Sequence, residues 1–301
     1  MKDREIPMSD TLRLSLIYNP YAGRRRLLNQ LDTVVRIFQE SGCEVCVHRA
    51  NSPQDIEEAA ARQRGVDRVV VAGGDGSIYQ AVNGLMKIPS GERPILGILP
   101  VGTANDLAYA LRLPKTIREA CEVIARGRIF NMDVGHLNER YFVNVASAGL
   151  LTDVSPTVDL RVKNALGQLA YYLKGLEALP SFRPFRVQFT YEGQEREEEV
   201  LLFLALNGIS VGGLRKFVPQ ASLSDGLLDI VLIRQSGWPE TLRLLFGLLR
   251  GEKANTDQII MFQTKGLRIT AERPMDSDLD GEWGPKSPWD LSVGPKISVF
   301  Y

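Results

Sequence analysis

Cysteine, histidine and net charge are all scarce in this sequence. Its 301 residues include 3 cysteines and 2 histidines, and 36 basic residues balance 36 acidic ones to a formal net charge of +0. A chain without excess positive charge gives no electrostatic reason to expect nucleic acid as a partner. So few cysteines exclude a disulfide framework and are typical of a protein from a reducing cytoplasm.

Two of the cysteines, Cys43 and Cys46, have the CxxC spacing of some metal and redox sites. They lie on a predicted strand, residues 43–48, and the chain offers no convincing set of histidine co-ligands. We therefore interpret both cysteines as buried thiols. We interpret the two histidines, His48 and His136, as structural residues.

The sequence also lacks a long apolar run. No stretch of about 18 apolar residues is uninterrupted, so we predict no membrane-spanning helix. The N-terminus, MKDREIPMSD, is charged and lacks the apolar core of a signal peptide. We therefore predict a cytoplasmic protein, which would reach any lipid substrate from the aqueous side.

Length and composition predict a folded protein of two domains. Apolar residues make up 44% of the chain and charged residues 24%, which is typical of globular proteins. A chain of 301 residues is long for a single hydrophobic core. The pattern of predicted elements changes near residue 132, and we place the two domains at residues 1–132 and 133–301.

Strands alternate with helices through the first domain. The predicted strands cover residues 12–18, 43–48, 68–72 and 95–99. The predicted helices cover residues 24–40, 52–63 and 104–111, and a further helix follows residue 77 and ends at residue 86. This alternation predicts an open parallel sheet with helices on both faces. Ligands of such sheets bind beyond the carboxyl ends of the strands.

Strands dominate the second domain. The predicted strands cover residues 141–148, 185–191, 198–207, 227–234, 258–264, 267–271 and 296–301. Two helical patterns, residues 159–179 and 239–250, interrupt them. A run of strands of this kind predicts a mainly antiparallel β domain. The helix at 239–250 is very apolar, so it either packs on this domain or contacts a membrane.

A glycine-rich loop, Gly73-Gly74-Asp75-Gly76-Ser77, follows a predicted buried strand and precedes a helix. Glycines let the backbone approach a ligand closely and expose N–H groups at a helix N-terminus, which favours an anion such as a phosphate. The carboxylate of Asp75 would repel phosphates unless a magnesium ion lay between them. The alternative is a glycine turn with a capping aspartate.

A second loop, residues 99–106, also follows a strand and opens a helix. Beyond Gly102, the hydroxyl of Thr103 can cap that helix and bind a phosphate oxygen. Asn105 and Asp106 can reach a nucleotide, a metal ion or a reacting hydroxyl. Capping alone does not explain why two adjacent crossovers both carry glycine, a hydroxyl and aspartate.

The first strand leads into a third loop, Asn19-Pro20-Tyr21-Ala22-Gly23, with arginine at each of residues 24–26. A turn before a helix would explain the asparagine, proline and glycine. Three arginines at a helix N-terminus oppose the helix dipole, which disfavours a purely structural interpretation. The arginines could instead meet nucleotide phosphates or lipid headgroups.

These three loops, in this order, resemble the diacylglycerol kinase catalytic-domain family, and in particular its bacterial soluble lipid kinases. The resemblance continues in residues 131–135, similar to the family's Asp-x-Gly junction, in residues 221–229, similar to its Asp-Gly-x-Leu-Asp segment, and in residues 280–282, similar to its Asp-Gly-Glu motif. It covers nearly the whole chain. It implies that the second domain is an antiparallel β-sandwich and that the active site lies in the cleft between the domains.

The resemblance also implies a role for each matching residue. Glu282 would be the general base, with Asp75 and Asp106 as further catalytic residues. The ATP phosphates would be lined by Asn19, Gly73, Gly74, Asp75, Gly76, Ser77, Gly102, Thr103 and Asn105. Asp75, Asp106, Asp133 and Asp225 would form an acidic network around the catalytic Mg²⁺. A second, structural Mg²⁺ would bind the side chain of Asp225 and the backbone oxygens of Ser222 and Leu227.

Two positions depart from the family pattern. Ser77 replaces the commoner threonine but keeps the hydroxyl, which should be tolerated. Residues 275–279 are more acidic than the apolar strand expected there, which leaves the strand register before Glu282 open. On physical grounds alone, a hairpin turn is the favoured interpretation of Asp-Gly-Glu, and the role of Glu282 as the base rests on the resemblance.

The predicted function is that of an ATP- and Mg²⁺-dependent lipid kinase, which transfers the γ-phosphate to a hydroxyl of a membrane lipid such as diacylglycerol. Its partners would be ATP and a lipid alcohol at the membrane surface, reached by peripheral contact. A kinase of a soluble acceptor such as NAD and a non-catalytic nucleotide- or lipid-binding regulator are the alternatives. The sequence leaves the oligomeric state open and is compatible with a homodimer.

Overall fold

The computed structural model describes residues 11–149, 183–208, 210–211, 214–215, 221–237, 240, 244 and 257–301. Contacts between Cα atoms divide the chain into two compact units. The first contains the described residues as far as Gly102, Leu113–Phe130 and Ser298–Tyr301; the second contains the described residues of Thr103–Arg112 and Asn131–Ile297. The chain passes from the first unit to the second mainly after Phe130, close to the predicted boundary at residue 132. Two short segments are exceptions, because Thr103–Arg112 belongs to the second unit and Ser298–Tyr301 to the first.

The elements are numbered in chain order. The helices are α1 (Leu31–Glu40), α2 (Pro53–Ala61), α3 (Asp75–Leu85), α4 (Asp106–Ala110) and α5 (Ile117–Arg126). The first strands are β1 (Leu12–Tyr18), β2 (Cys43–Arg49), β3 (Arg68–Gly73), β4 (Ile95–Pro100), β5 (Ile129–Met132), β6 (Gly135–Leu137), β7 (Arg140–Phe142), β8 (Val145–Gly149) and β9 (Phe185–Tyr191). The later strands are β10 (Gln194–Leu206), β11 (Ser210–Val211), β12 (Leu214–Arg215), β13 (Leu228–Arg234), β14 (Ile259–Thr264), β15 (Gly266–Ala271), β16 (Ser277–Leu279), β17 (Glu282–Trp283), β18 (Trp289–Val293) and β19 (Ile297–Phe300).

The first sheet is the open parallel sheet that the sequence predicted. Its strand order is β2-β1-β3-β4-β19-β5. β1 runs parallel to both β2 and β3, and β3 runs parallel to β4. Every residue of β3 is buried, as expected for a central strand with helices on both faces. Strands and crossovers in this order bring the ends of β1, β3 and β4 to the same edge of the sheet.

The last strand corrects one prediction. Residues 296–301 were expected to add a strand to the second domain, but β19 lies in the first sheet, parallel to β4, with Val299 paired to Leu96. Its apolar side chains are buried there, and the ring of Phe300 packs 5.1 Å below the guanidinium carbon of Arg68. Strand pattern alone does not reveal the sheet in which a strand pairs, so the sequence could not distinguish the two placements.

The first helix begins later than predicted, whereas α2 begins where it was expected. The predicted helix 24–40 starts as two short 3-10 turns, Ala22–Arg25 and Leu28–Gln30, and becomes α-helical only at Leu31. The predicted start at residue 52 is confirmed for α2, because Ser52 Oγ accepts a hydrogen bond from Asp55 N at 3.1 Å. Pro53 follows at the first helical position, where its missing N–H costs little.

The second unit is built on a mainly antiparallel sheet of 11 strands. Its central strand is β10, which pairs antiparallel with β8, β9 and β13. The predicted strand 141–148 is two strands, β7 and β8. The break between them occurs where the N–H groups of residues 143–145 bind the carboxylate of Asp280 rather than a neighbouring strand.

The two helices predicted in the second domain fall on segments that lie almost wholly outside the described residues. Residues 159–179 lie outside the described residues, and so does the segment 239–250 apart from residues 240 and 244. Within the described residues, no helix has the length and apolar character needed to cross a membrane.

The cysteines differ from one another more than the sequence suggested. All three are free thiols; Cys43 and Cys121 are buried, but Cys46 is exposed. The prediction that Cys46 is buried is therefore wrong. Residues three apart on a strand point to opposite faces, so the CxxC pair places one thiol in the core and the other in solvent. Burial raises the pKa of the Cys121 thiol to about 12.

This difference predicts selective thiol modification. A maleimide reagent should modify Cys46 in the native protein and spare Cys43 and Cys121, because only the exposed thiol is accessible and reaction requires the thiolate. Mass spectrometry of proteolytic fragments before and after unfolding in guanidinium would measure this. Modification of Cys121 in native protein at the rate of Cys46 would contradict the packing described.

Candidate functional site

Three loops lie together at the carboxyl ends of β1, β3 and β4, and their residues as far as Gly102 belong to the first unit. Asn19 Nδ2 donates a hydrogen bond to Ser77 Oγ at 3.3 Å, which joins the first and second loops. Asn19 N also donates to the carbonyl of Ala72 at 3.0 Å, and Val101 N donates to the carbonyl of Gly73 at 3.1 Å. The structure therefore brings the glycine-rich loops together as the sequence predicted.

Two glycines allow this close approach. Gly23 has a φ of +53°, and a Cβ there would collide with the carbonyl oxygen of Val101. A Cβ on Gly74 would lie 3.1 Å from the Cα of Gly102, so the backbones of the two loops are nearly in contact. Larger residues at these positions would separate the loops.

The N-terminus of α3 faces the same group of loops through its first residues. Gly74, which has no side chain to cap the helix, occupies the N-cap position in an extended conformation. Asp75 lies in the first turn, and Ser77 is buried with its hydroxyl bound to Asn19. A helix start rich in glycine is a suitable site for an anion such as a phosphate.

The loop after β4 differs from its prediction. Asn105, and not Thr103 as predicted, occupies the N-cap position of α4, with a φ of +53° and no capping hydrogen bond from its own side chain. Thr103 is exposed, whereas Asp106, the first residue of α4, is buried. The left-handed conformation of Asn105 turns the chain sharply before α4, which is why the helix starts later than residue 104.

Asp133 in the second unit binds several partners. It is 1% exposed, with Oδ1 2.8 Å from Lys296 Nζ and Oδ2 accepting a hydrogen bond from Gly226 N at 2.7 Å. Its own N–H donates to the carbonyl of Leu223 at 2.7 Å. Lys296 Nζ also donates to the carbonyl of Ser224 at 3.0 Å. Asp133 and Lys296 together therefore hold the loop of residues 222–227.

That loop presents hard oxygen atoms. The side chain of Asp225 is exposed, and its Oδ1 accepts a hydrogen bond from Leu227 N at 3.1 Å. The bonds from Asp133 and Lys296 use the carbonyls of residues 223 and 224, and so do not involve those of Ser222 and Leu227, the two predicted ligands. A carboxylate with backbone oxygens is a donor set that suits Mg²⁺. These residues fit the predicted ion.

Asp229, at the base of this loop, is buried and adds a second carboxylate. Burial raises the pKa of Asp229, a hydrogen bond from Gln263 Nε2 to its Oδ1 at 3.1 Å opposes that shift, and the negative charge of Asp225 raises the pKa further. The two carboxylates therefore repel each other, and a cation near Asp225 would relieve that repulsion.

The Asp280-Gly281 pair is the turn of a tight hairpin. Leu279 in β16 pairs with Glu282 in β17, and the two residues between them have φ values of +54° and +91°. Positive φ at both positions of a two-residue loop is the type I′ hairpin turn. The hairpin turn expected on physical grounds is therefore present, and Glu282 is half-buried at its end.

The predicted acidic network is not visible as a metal-binding group. Among the residues that the structure describes, no three histidine, cysteine, aspartate or glutamate side chains come close enough together to hold a metal ion. In particular, Asp133 is paired with Lys296. The assignment of Asp75, Asp106, Asp133 and Asp225 to a magnesium network stays a prediction.

Sequence reasoning missed two residues of the second unit. Asp280 is part of the Asp-Gly-Glu motif, but its turn propensity concealed the contacts that its carboxylate makes with residues 143–145. Lys296 lies far from Asp133 in the sequence and has no local pattern that predicts their pairing. An ion pair between residues that lie far apart in the sequence leaves no signal in a single sequence.

Both histidines have structural contacts, in agreement with the sequence interpretation. His48 Nε2 lies 3.0 Å from Asp55 Oδ1, at the start of α2. The ring of His136 packs on Tyr141 with centroids 4.6 Å apart, and burial lowers the pKa of His136. None of these contacts joins a histidine to the loops described above.

The pairing of Lys296 with Asp133 predicts a loss of stability on substitution. Lys296→Met removes the counter-charge of a carboxylate that is 1% exposed, and should lower the free energy of unfolding by about 2 kcal/mol. We place the value at the low end for such pairs because the lysine side chain is 48% exposed. Urea denaturation would measure it.

Lys286→Met is the matched control. Lys286 lies 3.6 Å from Asp276, and both side chains are exposed, so its loss should cost less than about 1 kcal/mol. Equal effects of the two substitutions would contradict the role of Lys296 in holding the loop.

Comparison with known proteins identifies a family for each part of the chain. Residues 13–137 match the model of the diacylglycerol kinase catalytic domain. Residues 144–300 match the model of the YegS C-terminal NAD kinase beta sandwich-like domain. The predicted fold, an α/β domain followed by an antiparallel β-sandwich domain, is confirmed.

Curated relatives and a solved structure agree with these models. The diacylglycerol kinase of Bacillus subtilis strain 168 is 39% identical over 282 residues, which are 93% of this chain and 92% of that protein. The diacylglycerol kinase of Staphylococcus carnosus strain TM300 is 34% identical over 291 residues, which are 96% of this chain and 94% of that protein. A crystal structure of a diacylglycerol kinase from Bacillus anthracis strain Sterne has a TM-score of 0.80 at 28% identity and covers 96% of each chain.

Proposed function

We propose that this chain, which belongs to the diacylglycerol kinase catalytic-domain family, transfers the γ-phosphate of ATP to a hydroxyl of a membrane lipid, with diacylglycerol as the first candidate. The chain is a phosphotransferase with an alcohol acceptor. The observation that carries the proposal is the convergence of three glycine-containing loops at the ends of β1, β3 and β4. The name of the curated relatives supports the choice of lipid.

The first unit would bind the triphosphate. Phosphoryl transfer requires accurate positioning and neutralisation of charge, with little covalent chemistry from the protein. The backbone N–H groups at the start of α3 would donate to phosphate oxygens, and Gly74 and Gly102 would let those oxygens approach the main chain. The hydrogen bond from Asn19 to Ser77 would keep the first two loops in a fixed arrangement for this purpose.

Magnesium would be held by carboxylate and backbone oxygen atoms. Asp75 is the ligand we propose near the phosphates, and the loop of Ser222, Asp225 and Leu227 is the second site, held in place by Asp133. When bound, Mg²⁺ neutralises negative charge on the phosphate oxygens. The chain's own contribution is to present these oxygen atoms and to keep the loop of residues 222–227 in one conformation.

Glu282 would remove the proton from the lipid hydroxyl. A carboxylate can act as a general base when it lies within hydrogen-bond reach of the hydroxyl. Glu282 is half-buried, and its neighbour Trp283, which is 62% exposed, lies on the opposite face of the two-residue strand β17. The alternation of the strand therefore separates the proposed base from the exposed ring.

We propose that the protein works in the cytoplasm and meets its lipid by peripheral contact with the membrane. This part of the proposal rests on the chemistry of the acceptor, because a lipid alcohol is embedded in a bilayer whereas ATP is in solution. It requires no membrane-spanning helix, and none is found among the described residues.

Transfer of labelled γ-phosphate from Mg-ATP tests the proposal directly. The acceptors would be diacylglycerol and a panel of other lipid alcohols in mixed micelles, with NAD as a soluble control. Label on a lipid would support the proposal and identify the substrate. Label on NAD alone would favour a kinase of a soluble acceptor, and binding of ATP without any transfer would favour a regulator.

Glu282→Gln should remove most phosphoryl transfer and leave ATP affinity nearly unchanged. The amide cannot accept the proton of the hydroxyl but has almost the shape of the carboxylate. We expect a loss of at least about 100-fold in kcat, in the range of general base catalysis. Turnover at the wild-type rate would exclude Glu282 as the base.

Asp75→Asn should weaken ATP binding in the presence of magnesium. The substitution removes the negative charge that we propose attracts Mg²⁺ to the phosphates, and keeps the size of the side chain. Isothermal titration with Mg-ATP and with ATP in excess EDTA would separate the two contributions. An unchanged affinity for Mg-ATP would contradict the place of Asp75 in the metal site.

A further inference from the structure

Asp280 makes an unusually complete set of contacts for a residue of a hairpin turn. Its carboxylate accepts hydrogen bonds from three consecutive backbone N–H groups, those of Val143 at 2.6 Å, Asn144 at 2.8 Å and Val145 at 2.9 Å. Hydrogen bonds from backbone N–H groups to an ionised carboxylate are short and stronger than neutral ones. The side chain therefore fixes the turn to the chain just before β8.

The main chain of Asp280 is fixed to the same segment. Asp280 N donates to the carbonyl of Val145 at 3.0 Å, and the pairing of β16 with β8 continues from there, with Leu279 opposite Ala146. The turn is thus held both through the side chain and through the main chain of a single residue.

Because Asp280 holds the turn in this position, it determines the direction of the side chain of Glu282, two residues later. Glu282 follows the turn directly, in register with Leu279. A slip of one residue in a strand pairing moves every side chain to the opposite face of the sheet. Such a slip would exchange the half-buried Glu282 with the exposed Trp283. The acidic segment 275–279 pairs only briefly, through β16, so the strand alone offers few contacts against a slip.

We propose that Asp280 is a positioning residue that sets the register of this hairpin and thereby the place of Glu282. The inference rests on the proposed role of Glu282 as the base. As a positioning residue, Asp280 acts through Glu282 and not by contact with the substrate. The same residue that fits the left-handed turn supplies the carboxylate that binds residues 143–145, which explains the choice of aspartate over the equally turn-compatible glycine.

The test is a double-mutant cycle of Asp280→Asn and Glu282→Gln, measured by kcat and by the KM for Mg-ATP. Asparagine tolerates the left-handed conformation and keeps one acceptor oxygen, but it loses the charge. We expect Asp280→Asn to lower kcat by about 10-fold or more, with the KM within about 2-fold of wild type, because small displacements of catalytic groups have large effects on rate. In the Glu282→Gln background, Asp280→Asn should cause no further loss.

Asp67→Asn is the matched control. Asp67 also accepts a hydrogen bond from a backbone N–H, that of Arg13 at 2.7 Å, but it lies before β3, at the end of the strand away from the loops. Its substitution should leave kcat within about 2-fold of wild type. Thermal melting of each variant would confirm folding, and Asp280→Glu, which keeps the charge but lengthens the side chain, would replace Asp280→Asn with the same expectations if the latter does not fold.

The outcomes separate this inference from the proposed function. Full activity of Asp280→Asn beside an inactive Glu282→Gln would overturn the positioning role and leave the base assignment intact. An equal further loss in the Glu282→Gln background would also overturn it, because Asp280 would then act through another group. Wild-type turnover by Glu282→Gln would instead exclude the base itself, and the inference with it.

Discussion

The parallel pairing of β3 with β4 is the constraint on which the glycine-rich loops of the first sheet depend. The two strands end together, with Gly73 opposite Pro100, so the loops that follow them leave the sheet side by side. Their backbones then approach so closely at Gly74 and Gly102 that the space for side chains is almost absent. Glycine is required here by the pairing of the strands as much as by any ligand.

In the second unit, carboxylates organise the backbone. Asp133 and Asp280 each accept hydrogen bonds from main-chain N–H groups of a segment distant in sequence. Asp133 is buried, and burying a carboxylate is costly unless its oxygens are bound, so Asp133 requires a folded partner segment before it is stable. Asp280 is half-buried and is bound by three main-chain N–H groups. The loop of residues 222–227 and the hairpin at residue 280 are consequently held by charge-assisted bonds rather than by apolar packing. Loops on the surface of a sheet offer little apolar area, and charge-assisted hydrogen bonds are a way to fix them.

The sequence predicted those features that depend on local patterns. The strands β1 and β9 have the predicted bounds, and the three glycine-containing loops lie together as expected. Predictions failed where the determining contact is remote, as for the sheet that receives β19 and the break between β7 and β8. For the same reason, the pairing of Asp133 with Lys296 was not predicted. The prediction that Cys46 is buried was wrong because the sequence does not reveal that β2 is an edge strand, one face of which is exposed. The role of Glu282 came from a family resemblance, since an Asp-Gly-Glu sequence by itself predicts only a turn.

The position of β19 has a consequence for the synthesis of the protein. This strand follows the whole second unit in the sequence, yet it lies between β4 and β5 in the first sheet. On the ribosome, β1 to β4 can pair early, but the edge of β4 stays open until residues 297–300 have been synthesised. An open parallel edge is a site for non-native pairing, so this interval is a period of exposure to aggregation and to chaperones. The first sheet is begun before the second unit is synthesised and is completed only after it.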